Sequence, residues 1–273
     1  MIPPAASPRL REDFARTLGP HWSTLLPGQG SLEFTGGSLR LVNAETSALR
    51  YTDVQIDDTQ RLARRAFLWR PPLRLAVRAR FSHPGPPLVE GAGILRGTAG
   101  FGFWNDPFLM TGLRVPTLPR AIWFFYASPP SNMKLDLRTP GYGWKAATID
   151  ALRWPAFFLA LSAPLAVPLM NVRPLYRRLW PVLQRVLRVA EAPVEAPMTE
   201  WHTYAIEWGS RSARFSVDDT AVLATDCSPR GPLGLVIWLD NQYLVATPWG
   251  RLGYGLLASE GRQWLELESV EIS

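Results

Sequence analysis

The chain has 273 residues, 47% of them hydrophobic and 19% charged, which excludes a disordered protein and allows one sizeable core. The formal charge of +6 is carried by arginine, since Lys134 and Lys145 are the only lysines; a balance spread along the whole chain carries little weight, and no nucleic-acid partner is expected. The single cysteine, Cys227, rules out an intrachain disulfide, and the start MIPPAASPRLREDF lacks the basic-then-apolar pattern of a signal peptide, so cytoplasmic residence is expected.

Residues 12–58 read as short strands between turns. Leu32, Phe34, Leu39 and Leu41 recur at period two around Gly36 and Gly37, a hairpin pattern. From Leu73 to Phe81, Leu73, Leu75, Val77, Ala79 and Phe81 alternate with Arg74, Arg78 and Arg80, which predicts a half-buried strand with an arginine-lined outer face. Strands are expected at Gly100–Asp106, Ala121–Ala127, from Trp201 onward, and at Ala213–Val217. A turn at Asp218-Asp219 leads to Ala221–Ala224, and Leu233–Leu239 and Trp264–Ile272 complete the set. Many short strands with regular turns argue for an all-β sandwich.

Residues 151–198 break this pattern. Trp154–Met170 carries no charge and is interrupted by Pro155, Pro164 and Pro168. Leu175, Leu179, Val182, Leu183, Val186 and Leu187 then recur at helical spacing with arginines between them. Ala190–Pro197 reads as a linker. The organisation is therefore a sandwich in two parts, 1–150 and 199–273, with 151–198 inserted between them. The insertion is too short and too proline-broken to span a bilayer. It is expected either at the cleft mouth as a lid or peripherally on a membrane through residues 152–190. Trp154, Tyr176 and Trp180 would sit at headgroup level, with Arg177, Arg178, Arg185 and Arg188 on the polar side. The competing expectation is that the apolar stripe packs on protein. Oligomeric state is not legible.

The segment Trp201-His202-Thr203-Tyr204-Ala205-Ile206-Glu207-Trp208, followed by Ala213-Arg214-Phe215-Ser216-Val217-Asp218-Asp219, resembles a strand pair of the laminarinase-type, family-sixteen glycoside hydrolases. Glu12-Asp13-Phe14 with His21-Trp22, Arg74–Phe81 and Gly102-Phe103-Trp104 are similar to further pieces of that family. The resemblance implies a concanavalin A-like jelly-roll sandwich with a concave glycan cleft. It also implies a catalytic strand of pattern E-x-D-x-x-E, whose outer glutamates serve as nucleophile and acid/base. The matching strand here is Ala121–Ala127, and no acid occurs between Asp106 and Asp136. Retaining hydrolysis needs two carboxyl groups about 5 Å apart, so the family mechanism is not expected.

Two functional expectations follow. The first is a non-catalytic, lectin-like sandwich whose groove is lined by Trp104, Trp123, Tyr126, Trp238, Asp240 and Gln242, with His202 at the cleft. The second is an enzyme with relocated carboxylates. Alternation places Trp104 with Asp106 and Trp238 with Asp240 and Gln242, so Asp106 and Asp240 are the catalytic candidates. Against them stands the reading of Asp106 as a turn cap before Pro107 and of Asp240-Asn241 as a strand end. The aromatic strand also admits an apolar small molecule in place of a carbohydrate. No cofactor is expected. The three histidines lack metal-ligand spacing, although Asp53, Asp57 and Asp58 leave a structural calcium open.

Overall fold

A computed structural model describes residues 9–86, 93–107, 115–134, 136, 138–152, 172–247, 249, 251–259 and 261–273. The strands are β1 (Leu10–Glu12), β2 (Ser23–Leu25), β3 (Gly30–Phe34), β4 (Leu39–Asn43), β5 (Asp53–Asp57) and β6 (Leu73–Phe81). They continue with β7 (Thr98–Trp104), β8 (Arg120–Ala127), β9 (Gly143–Asp150), and, after helix α1 (Arg173–Leu187), β10 (Val189–Pro193). The rest are β11 (His202–Trp208), β12 (Ala213–Val217), β13 (Thr220–Thr225), β14 (Gly234–Asp240), β15 (Gln242–Ala246), β16 (Leu252–Leu256) and β17 (Gln263–Ile272).

They form two large antiparallel sheets. One runs β13-β12-β11-β6-β17-β4-β3 with β1 added against β17; the other runs β10-β9-β8-β7-β14-β5-β2. A separate hairpin, β15–β16, follows β14. Sequence neighbours such as β5 and β6 lie in different sheets, as a jelly roll requires. The core is the layer between the sheets, where Phe81, Phe101, Phe124, Trp144, Tyr204 and Phe215 pack ring against ring.

Strand alternation decides what faces this layer. In β6, Leu73, Leu75, Val77, Ala79 and Phe81 are buried while the residues between them are half-buried. Those outward arginines are not loose charge. Arg40 and Arg80 converge on the buried Glu266, with Arg80 Nε donating at 2.9 Å. Their guanidinium groups also lie over Trp264, and Arg80 lies over Trp201. The positive charge of the sequence is thus partly structural, used to cover one sheet with stacked, paired side chains.

The segment expected to be a linker is not one. Val189–Pro193 forms an edge strand, β10, paired with β9. The uncharged run of 154–170, with Trp154, lies outside the described residues. Among the described residues, no helix is long and apolar enough to cross a membrane.

Candidate functional site: an aromatic pocket on the seven-stranded sheet

The seven-stranded sheet presents its outer face to a cavity of about 280 Å³. Alternation again selects the residues. Asp53 and Gln55 come from β5, Thr98 and Trp104 from β7, Trp123 and Phe125 from β8, and Trp238 and Asp240 from β14. Lys145, Ala147 and Ile149 from β9 and Glu191 from β10 extend the face to the sheet edge. Gln242, Leu244 and Ala246 of β15, with Met133, form the facing wall, and Pro119 closes one side.

The floor is aromatic. Trp123 lies 5.5 Å from Phe125 and 5.4 Å from Trp238 between ring centroids, and 6.0 Å from Trp104. The rings lie this close because β7 carries glycine beneath them. Gly100 pairs with both Trp238 and Phe125, and Gly102 with Val236 and Trp123. A Cβ on Gly100 would come within 2.8 Å of the Trp238 ring, and one on Gly102 within 2.5 Å of the Trp123 backbone. Each side chain would push a ring off the sheet.

Polar groups sit at two places along this floor. At one end Asp53 and Asp240 are register partners on neighbouring strands, both buried. Asp240 Oδ1 accepts three hydrogen bonds: Thr98 N at 3.1 Å, Thr98 Oγ1 at 2.9 Å and Gln242 N at 3.0 Å. The Trp238 indole donates to Thr98 Oγ1 at 2.9 Å, tying the floor to the acid. Asp53 Oδ2 accepts from the Tyr51 hydroxyl at 3.0 Å, while Asp53 Oδ1 is buried with no partner. Burial lifts Asp240 to about 7 against its backbone and Thr98 donors. Burial also lifts Asp53 well above the carboxylate range, and the neighbouring Asp240 charge adds to the rise. Two adjacent carboxyls in an apolar site cannot both ionise cheaply, so a proton is held there near neutrality.

At the sheet edge, Lys145 Nζ meets Glu191 Oε2 at 2.7 Å, with both side chains almost fully buried. Lys145 also donates to the Pro140 carbonyl at 3.1 Å. Burial raises Glu191, and the Lys145 charge opposes the rise. This ion pair is spent on itself and on local backbone, and it locks β10 to β9.

Several expected site residues stand elsewhere. Tyr126 does not reach the groove: it lies three positions from Trp123, hence on the opposite face, and is buried in the core with its hydroxyl bonded to the Leu95 carbonyl at 2.7 Å. Phe125, two positions from Trp123, takes the place assigned to it. His202 belongs to β11 in the other sheet, where its ring nitrogens contact Asp218 at 2.6 Å and the Pro197 carbonyl at 3.1 Å.

Asp106 is fully buried beyond the end of β7, with a left-handed backbone (φ 46°), so strand alternation no longer applies to it. It cannot converge with Asp240. Thr98 pairs with Asp240 while Trp104 pairs with Gly234, so the two acids sit at opposite ends of β7, roughly 20 Å apart at about 3.3 Å per residue. The acid that shares the pocket lining with Asp240 is Asp53 and not Asp106. The acids weighed for calcium also diverge. Asp58 holds the Trp69 indole and the Leu235 amide, whereas Asp57 holds Thr59, Gln55 and Gln60. Among the described residues, no three His, Cys, Asp or Glu side chains are placed to hold a metal ion.

Among the described residues, none of helix α1 lines the pocket. Tyr176 and Trp180, expected at a headgroup level, are buried on the inward face, where Tyr176 meets Trp249 edge-on at 5.4 Å. Arg177, Arg178 and Arg185 are exposed, and Arg188 caps the helix in a left-handed conformation.

No protein-family model and no curated protein sequence matches this chain. Solved structures do. A Crh5 transglycosylase superposes with a TM-score of 0.51 at 13% identity, covering 98% of this chain and 85% of that one. An endo-β-galactosidase from Clostridium perfringens gives 0.55 at 14% identity, covering 96% of this chain and 60% of its own. The catalytic domain of a Thermotoga petrophila laminarinase gives 0.50 at 10% identity, covering 96% and 95%. The fold is the family-sixteen glycoside hydrolase jelly roll. On that frame, the outward residues of β8 are Ala121, Trp123 and Phe125, so the strand carries aromatic rings and no carboxylate on the face that lines the pocket.

Proposed function

We propose that the pocket is a binding site for a small organic ligand with a flat or aliphatic apolar body, built on a glycoside-hydrolase jelly roll without that family's hydrolytic strand. The observation that carries this reading is the floor of Trp104, Trp123, Phe125 and Trp238 facing Met133, Leu244 and Ala246, with the Lys145–Glu191 charges neutralised internally. A cavity of this size and lining matches the small-molecule sites of soluble proteins, which are mostly apolar with a few placed polar groups.

A second reading, favoured by the fold, is a glycan lying across Trp123. The structural neighbours include glycan-acting enzymes, and one is solved in complex with NAG. Indole faces stack on sugar C–H surfaces, with carboxyls taking hydroxyl hydrogens.

N-phenyl-1-naphthylamine, a neutral fluorescent probe, tests the apolar site. The wild-type chain is expected to bind it with enhanced fluorescence. Trp123→Ala is expected to weaken binding by about tenfold, the loss of about 1.4 kcal/mol of ring contact. Unchanged binding in Trp123→Ala places the probe elsewhere and overturns the proposal. Laminaritriose titrated against the same complex separates the second reading: displacement by the sugar and not by decanol favours the glycan.

A further inference from the structure

We infer that the Asp53–Asp240 end of the pocket receives a positively charged nitrogen, so that the ligand class is an aliphatic amine whose apolar body lies over Trp123 and Trp238. The inference rests on the pocket being a small-molecule site and specifies what that site selects. Residues directly opposed on antiparallel strands carry their Cβ atoms about 5 Å apart, and Asp53 and Asp240 are such partners, both lining the cavity. Asp53 is 1% exposed, yet its Oδ1 accepts no hydrogen bond. The donors to Asp240 converge on Oδ1, so its other oxygen takes none of the three. A buried acceptor without a donor costs free energy that a ligand N–H would recover.

The surroundings select a cation over a neutral donor. Among the described residues, neither acid forms a salt bridge with lysine, arginine or histidine. The groups that face them are Tyr51 and Asp57 on their own side and Tyr254 from the β15–β16 hairpin, none of which supplies positive charge. Across the cavity, Lys145 is bound to Glu191. The ring faces of Trp123 and Trp238 are themselves negative and attract an ammonium. Binding makes and breaks no covalent bond. The ammonium takes the place of the proton that the acids hold in the empty pocket, and that proton leaves to solvent. Because burial lifts Asp240 to about 7 and Asp53 well above the carboxylate range, amine affinity rises with pH from the acid side through neutrality.

The intact chain loaded with N-phenyl-1-naphthylamine is titrated at about pH 8 with decylamine, decanol and decanoate. Decylamine is expected to displace the probe at about tenfold lower concentration than decanol, with decanoate weakest. The expected amine advantage shrinks as the pH is lowered to about 5.5. In Asp53→Asn/Asp240→Asn the advantage disappears while decanol still displaces the probe. Single Asp240→Asn, whose amide oxygen can keep the three donors and which leaves Asp53, is expected to reduce the advantage without abolishing it, and Asp53→Asn, which removes the unpartnered acceptor, carries the readout if the double variant does not fold. Decanol equalling decylamine in the wild type, or an amine advantage that survives in full in the double variant or in Asp53→Asn, overturns the inference and leaves the apolar pocket standing. Failure of the probe to sense Trp123→Ala removes the pocket, and the inference falls with it.

Discussion

Asp240 is held by geometry that asparagine can copy. All three of its donors reach one oxygen, so an amide oxygen placed there keeps them. Both acids bind a proton more tightly in the folded chain than in the unfolded one. Their contribution therefore favours the folded state at low pH and is lost as the pH rises, the Asp240 share through about 7. Urea denaturation is expected to show a more stable protein at about pH 5.5 than at about pH 8. Asp240→Asn should flatten that slope and gain on the order of 1–3 kcal/mol at the higher pH. A loss of stability at both pH values would show that the carboxylate itself, and not its oxygen position, holds the strand pair.

At the scale of the element, α1 has two apolar stripes where one was expected. Tyr176, Trp180, Leu183 and Leu187 pack inward, while Leu179 and Val182 are 40% and 53% exposed among the outward arginines. Helical spacing alone does not separate these stripes, because residues three and four apart are neighbours on both. The inward stripe is fastened to Trp249, and Gln184 reaches Asp136 at 2.6 Å, which ties the helix to the sheet edge. The outward stripe beside Arg178 and Arg185 has the composition of an interfacial helix. We propose peripheral contact with anionic lipid through this face, each arginine contributing on the order of 1 kcal/mol near the surface. In flotation at low salt, the wild-type chain should rise with phosphatidylserine-containing vesicles and Leu179→Glu/Val182→Glu should not. Wild-type protein left in the soluble fraction overturns the membrane contact.

For the whole molecule, a glycoside-hydrolase jelly roll carries aromatic rings on the pocket face of its eighth strand. The jelly roll places β8 across the centre of the seven-stranded sheet, where Trp123 and Phe125 face the cavity. No side chain on that face of β8 can act as nucleophile or acid, and retaining hydrolysis needs two such carboxyls about 5 Å apart. Reducing-sugar release from laminarin is accordingly expected at the buffer blank. Turnover that is abolished by Asp240→Asn would instead assign hydrolysis to the Asp53–Asp240 pair.

The sandwich was legible in the chain because alternation is a local property: Leu73–Phe81, Ala213–Val217 and the hairpin at Asp218-Asp219 can be read residue by residue, and the strand pair beginning at Trp201 identifies the fold. The same period-two rule put Trp238 on one face with Asp240 and Gln242, and all three line the pocket. Applied to DVQID it would also have placed Asp53 outward beside Gln55, and applied one step further it would have exchanged Tyr126 for Phe125. Which outward faces meet is a different kind of fact. Asp53 and Asp240 are 187 positions apart and become partners only through the β5–β14 register, while Trp104 and Asp106 part company because the chain turns left-handed after β7. Glu191 becomes a pocket residue only because β10 pairs at the sheet edge and buries it against Lys145. Local sequence determines the face a side chain takes; pairing across long loops, driven by burial of the shared core, decides what stands opposite it.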